Sequence, residues 1–179
     1  MKKEPSTPLA DTQPQMVEVK IPENRYSIVH SSLDNKPAII VVNSGIREFE
    51  PKDVFGWTCS LIMDFQDLAQ NGMPTREESD IVLDYFEKLD ADIRGDEIHP
   101  NALFLARITW NGTFQAIWQV HNPEIVHEYL QQIIAEKSCP REMEYRIEYH
   151  AKWENVEYAY RISLNYKHSK IQAPSGQLP

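Results

Sequence analysis

Along this chain the apolar positions change period several times, and each change predicts an element. Arg25 to His30 alternates polar and apolar, and Ala38-Ile39-Ile40-Val41-Val42 is an unbroken apolar run rich in β-branched residues. Asp34-Asn35-Lys36-Pro37 between them predicts a turn, because Asx side chains bond the turn backbone and proline fixes φ. Together these segments read as a hairpin whose second strand is covered on both faces. From Trp57 to Phe65 the period is two, with Trp57, Cys59, Leu61, Met63 and Phe65 on one side and Thr58, Ser60, Ile62 and Asp64 on the other.

The period then changes to that of a helix. Gly72-Met73-Pro74 breaks the chain, Thr75 can cap, and Glu78 stands three residues on, the spacing of a capping box. Ile81, Val82, Tyr85, Phe86, Leu89 and Ile93 recur at helical spacing, and Gly95 ends the run. Two strands flank Asn111-Gly112. A two-residue loop would pair Trp110 with Thr113. A three-residue loop, Trp110-Asn111-Gly112, would gather Phe104, Ala106 and Ile108 with Phe114, Ala116 and Trp118 on one side. Since a one-residue slip turns every side chain over, the pattern favours the three-residue loop with Gly112 left-handed.

Asn122-Pro123 opens a second helix, with Ile125, Val126, Tyr129, Leu130, Ile133 and Ile134 as its stripe. Met143, Tyr145, Ile147 and Tyr149 alternate in a further strand. Tyr158, Tyr160, Ile162, Leu164 and Tyr166 alternate again after Trp153, predicting a closing hairpin. The order is β-β-β-α-β-β-α-β-β. The fold class is therefore α+β, a mainly antiparallel sheet with a ferredoxin-like β-α-β-β-α-β middle, two helices on one face and extra N- and C-terminal strands. Residues 23–167 form the single domain this implies. Residues 1–22 and 168–179, rich in proline and polar residues, read as a flexible lead-in and tail.

Several of these landmarks resemble a bacterial family catalogued as domain of unknown function 695. The shared features are Lys36-Pro37 before an apolar strand, Gly72-Met73-Pro74 before an acidic helix, Arg107-Ile108-Thr109 leading into Asn111-Gly112-Thr113-Phe114, and Trp153 with Tyr158 and Tyr160. Val156 departs from the pattern, where the family has tyrosine. The resemblance brings no activity, cofactor or catalytic residue. It does carry an association, since this domain sometimes stands beside one similar to the regulator of ribonuclease activity B.

Composition narrows the partners. The 179 residues carry 27 acidic and 18 basic side chains, a formal net charge of −9. Phosphate backbones are bound by neutralising them, so the balance argues against nucleic acid and against anionic lipid. No apolar stretch approaches the roughly 20 residues that span a bilayer, and Glu4-Pro5 stands where the apolar core of a signal peptide would be. We expect a cytoplasmic protein with no membrane partner. Cys59 and Cys139 lack the spacing of a metal or redox pair.

Candidate chemistry is sparse, and no cofactor is expected. His121, His127 and His150 could be gathered by folding, but isolated turn or surface histidines explain them as well. Asp64 is either a carboxylate tuned by burial or a solvated one. Trp57, Trp110, Trp118 and Trp153 belong either to cores or to a ligand cleft. Arg107 and Arg146 read as cross-strand partners of outer-face glutamates. The strongest feature is the first helix, where residues 75–97 hold nine carboxylates against three basic side chains. Glu77, Asp80, Asp84 and Glu87 lie off its apolar stripe and are the candidate contacts for a protein with a basic surface. Two function classes stay open. The pattern favours a non-catalytic protein-interaction or regulatory module. The alternative is an enzyme or small-ligand binder with an aromatic-lined pocket.

Overall fold

In the computed structural model, which describes residues 19–154 and Tyr160, six strands pair into one sheet and every neighbouring pair is antiparallel. In chain order they are β1 (Tyr26–Leu33), β2 (Lys36–Asn43), β3 (Trp57–Asp64), β4 (Ala102–Trp110), β5 (Thr113–Val120) and β6 (Met143–Tyr149). Helix α1 (Arg76–Arg94) joins β3 to β4, and α2 (Pro123–Glu136) joins β5 to β6. The spatial order is β1-β2-β4-β5-β3-β6. The chain is thus α+β, with the β1–β2 hairpin extending the sheet beyond β4.

Both helices pack on one face, as their one-sided stripes require. Val82, Phe86, Leu89 and Ile93 of α1 and Val126, Leu130 and Ile133 of α2 bury against Cys59, Leu61 and Met63 of β3 and Phe114, Ala116 and Trp118 of β5. The opposite face carries a second core, in which Val29, Ile40, Leu105, Ile108 and Ile117 lie under Ile46, Phe49, Phe55, Trp153 and Tyr160. The caps are those the sequence predicts at the start of each helix. Thr75 Oγ1 accepts the Glu78 N–H, and Asn122 Oδ1 accepts the Glu124 N–H ahead of Pro123.

Several expectations are corrected. Asn111 (φ 49°) and Gly112 (φ 81°) form a two-residue loop with Trp110 opposite Thr113, not the three-residue loop. The apolar residues that suggested one face belong to two. A bulge at Leu105 turns β4 over, so Phe104 faces the helices opposite Trp118 while Ala106 and Ile108 enter the second core. The first turn is likewise two residues, Asp34 (φ 49°) and Asn35 (φ 61°), and Lys36 and Pro37 already belong to β2. Two left-handed residues match the twist of the flanking strands. The helix stripes are narrower than the sequence suggests, because each helix meets the sheet on one side only: Ile81, Ile125 and Ile134 are exposed. The expected closing strand over residues 158–166 lies outside the described residues apart from Tyr160. That residue is helical rather than extended, with its hydroxyl donating to the Asn43 carbonyl. The expected flexible segments also fall largely outside the described residues.

Candidate functional site

A cleft of about 530 Å³ opens between the first half of α1 and the β2, β4 and β5 strands. Ile39 and Val41 of β2, Thr109 and Arg107 of β4 and Phe114 of β5 form its floor, and Leu83, Ser79 and Asp80 of α1 form a wall. Phe65, Met73 and Pro74 close one end. That end is fixed by backbone bonds, since Phe65 N–H donates to the Gly112 carbonyl and Gly112 N–H to the Gly72 carbonyl, both at 2.9 Å. The apolar floor continues onto β1, where Ile28 stands opposite Val41 and is 65% exposed. The aromatic lining consists of Phe65 and Phe114. None of the four tryptophans reaches it.

Arg107 is the charged group in this floor. The sequence suggests a glutamate opposite it, but the register places Val41 on one side and Ala116 on the other. Its guanidinium lies 5.7 Å from the centroid of the Phe86 ring. Burial lowers its pKa, and the charge of Glu87 acts in the opposite sense. An arginine keeps its charge regardless, so the floor holds a half-buried cation. No carboxylate among the described residues comes within ion-pair distance of it, whereas Arg146 meets Glu148 at 3.9 Å on an exposed face.

The seven carboxylates that lie within α1 separate into two groups. Glu78 is buried and bound by Arg141, whose Nε donates to Oε1 at 2.6 Å and whose Nη2 donates to Oε2, and the Gln66 N–H also donates to Oε1 at 2.9 Å. The Arg141 bonds hold its carboxyl below the ordinary range. Its side chain therefore does not close the capping box. Asp90 accepts from Trp118 Nε1 and Arg94 Nε, and Asp92 accepts from the Tyr129 hydroxyl. Glu77, Asp80, Asp84 and Glu87 are exposed. Of these four, Asp80 alone has a basic partner among the described residues, Arg76 at 4.0 Å, and Asp80 alone lines the cleft.

The remaining candidates do not converge. Asp64 is exposed at the end of β3. Trp118 and Trp153 are buried in the two cores, while Trp110 Nε1 donates to the Leu33 carbonyl. His121 shares a hydrogen bond with the Val54 carbonyl and His127 with the Tyr145 hydroxyl, while His150 lies 3.8 Å from Glu148. Among the described residues no cluster of three or more histidine, cysteine or acidic side chains could hold a metal, and no helix is long and apolar enough to cross a membrane.

Residues 24–160 match the family model described as "Family of unknown function (DUF695)", and the chain belongs to that family. No curated protein matches the sequence.

Proposed function

We propose that this protein is a non-catalytic interaction module that docks a partner protein with a basic surface on the outer face of α1 and the adjoining cleft. The observation that carries this reading is the side-by-side placement of four exposed carboxylates, Glu77, Asp80, Asp84 and Glu87, and an open apolar floor. Charge alone steers encounter and gives little affinity. An apolar anchor beside a charged rim supplies both. At physiological salt the Debye length is about 8 Å, so a dense helix face still acts at close range. The reading takes the protein to work in the cytoplasm, where its free thiols Cys59 and Cys139 stay reduced.

Changing Glu77, Asp80, Asp84 and Glu87 together to lysine tests it. All four lie off the buried stripe, so the variant should fold with an unchanged circular dichroism spectrum. A partner retained by the immobilised wild-type chain at low salt, and shed as salt rises, should not be retained by the variant. Equal retention by both proteins would reduce the acidic face to a solvated surface.

A further inference from the structure

Arg107 is unusual for a cation in a strand interior. Its cross-strand neighbours are Val41 and Ala116, its guanidinium lies over Phe86, and the cleft around it is apolar apart from Thr75, Ser79, Thr109 and the Arg76–Asp80 pair. A guanidinium offers five donors in a planar fork. Taking it part of the way out of water without an acceptor is costly, and an incoming acceptor recovers that cost. Glu87 influences it through its charge, and among the described residues the two form no ion pair.

We infer that the cleft is a receptor for an apolar carboxylate, with Arg107 taking the acid group and Ile39, Val41, Leu83 and Phe114 taking the hydrocarbon. This rests on the reading of the cleft as a binding site, and goes beyond it in naming the chemistry that enters. Three observations select the class. A volume of about 530 Å³ suits a small ligand or one to two side chains. A mostly apolar lining requires a hydrocarbon portion. The lining holds two arginines, Arg76 and Arg107, against one aspartate, Asp80, so a singly charged planar anion is accommodated. The carboxylate can come from a free acid or from the C-terminal residue of a peptide, which presents the same two features side by side.

Titration of the isotopically labelled full chain distinguishes these sources and tests the inference. One arm uses 4-phenylbutanoate against 4-phenylbutanamide. The other uses a short peptide ending in leucine, with a free or an amidated terminus. Amide shifts should move at Ile39–Val41 and Arg107–Thr109, and in at least one arm the acid should bind about tenfold or more tighter than its amide, the size of one charge-assisted fork. The arm with the tighter acid identifies the natural source. Arg107→Gln should erase the preference for the acid, and Arg107→Lys, which keeps the charge and loses the fork, should weaken it. Equal affinity for acid and amide in both arms, shifts located elsewhere, or no saturable shift below about 10 mM would overturn the inference. The acid–amide comparison uses the wild-type chain, so it stands even where a variant misfolds. Glu77→Lys and Asp84→Lys lie outside the cleft lining and should leave acid binding intact. Loss of partner capture in those variants with acid binding preserved would therefore separate the docking reading from this one.

Discussion

Glu78 occupies the buried phase of α1, spaced with Val82, Phe86, Leu89 and Ile93, yet it is a carboxylate only 3% exposed. Arg141, from the segment between α2 and β6, explains this by donating two bonds to it across 63 positions of sequence. A buried pair of this kind adds little net stability while intact, but breaking it from one side strands a charge. Arg141→Met should therefore destabilise the fold by about 3 kcal/mol at neutral pH, read from urea unfolding. The pH dependence should also change sign. In the wild type the Glu78 carboxyl titrates below its ordinary 4.5, so its contribution is complete above that value and is lost as pH falls through the lower, folded value. In Arg141→Met the stranded carboxyl titrates above its unfolded value, so acidification towards pH 5 should narrow the gap between variant and wild type. A gap that stays constant with pH would show that Arg141 acts through packing alone.

At the scale of elements, the β4–β5 hairpin shows where sequence patterning succeeds and where it fails. Its strands, its turn residues and the left-handed Gly112 are legible, because alternation and Asn-Gly chemistry are local signals. The loop length is not, because the argument for three residues assumes one apolar face. The sheet has two, and the bulge at Leu105 divides Phe104 from Ile108 between them. The same bulge decides that Arg107 faces the cleft, so the candidate site could not be assembled without it. The acidic residues of α1 were legible from helical phase, but Glu78 stood among them without its partner, which only the tertiary fold supplies. Gly112→Val provides the check on the loop. A Cβ there would lie 3.2 Å from Leu68 Cδ1 on a backbone with φ 81°, and left-handed geometry penalises β-branching most. A loss of about 1–2 kcal/mol is expected, against little effect from an exposed-strand change such as Glu144→Gln.

Across the whole molecule, the helices cover the β3–β5–β6 side of one face, and β1–β2 projects beyond them to make the cleft floor. What holds that projecting hairpin is the second core behind it. Trp153 anchors this core: its ring stacks on Phe49 at 5.8 Å and 6° between planes, and its Nε1 donates to the carbonyls of Lys52 and Phe55. The segment Ser44–Phe55 is thereby clamped between Trp153 and the backs of β2 and β4. Neither Trp153 nor Phe49, Lys52 or Phe55 lines the cleft. Trp153→Ala removes a large buried side chain and leaves two carbonyls without their donor, a change of about 3–5 kcal/mol. The loss should not be uniform. Native-state hydrogen exchange should show the β1–β2 amides losing protection first, while the β3 and β5 amides under the helices keep theirs until global unfolding. Such a protein would keep its acidic helix in place and lose the ordered floor beside it, separating steering by charge from seating in the cleft. Uniform loss of protection across all six strands would mean instead that the two cores open as one unit.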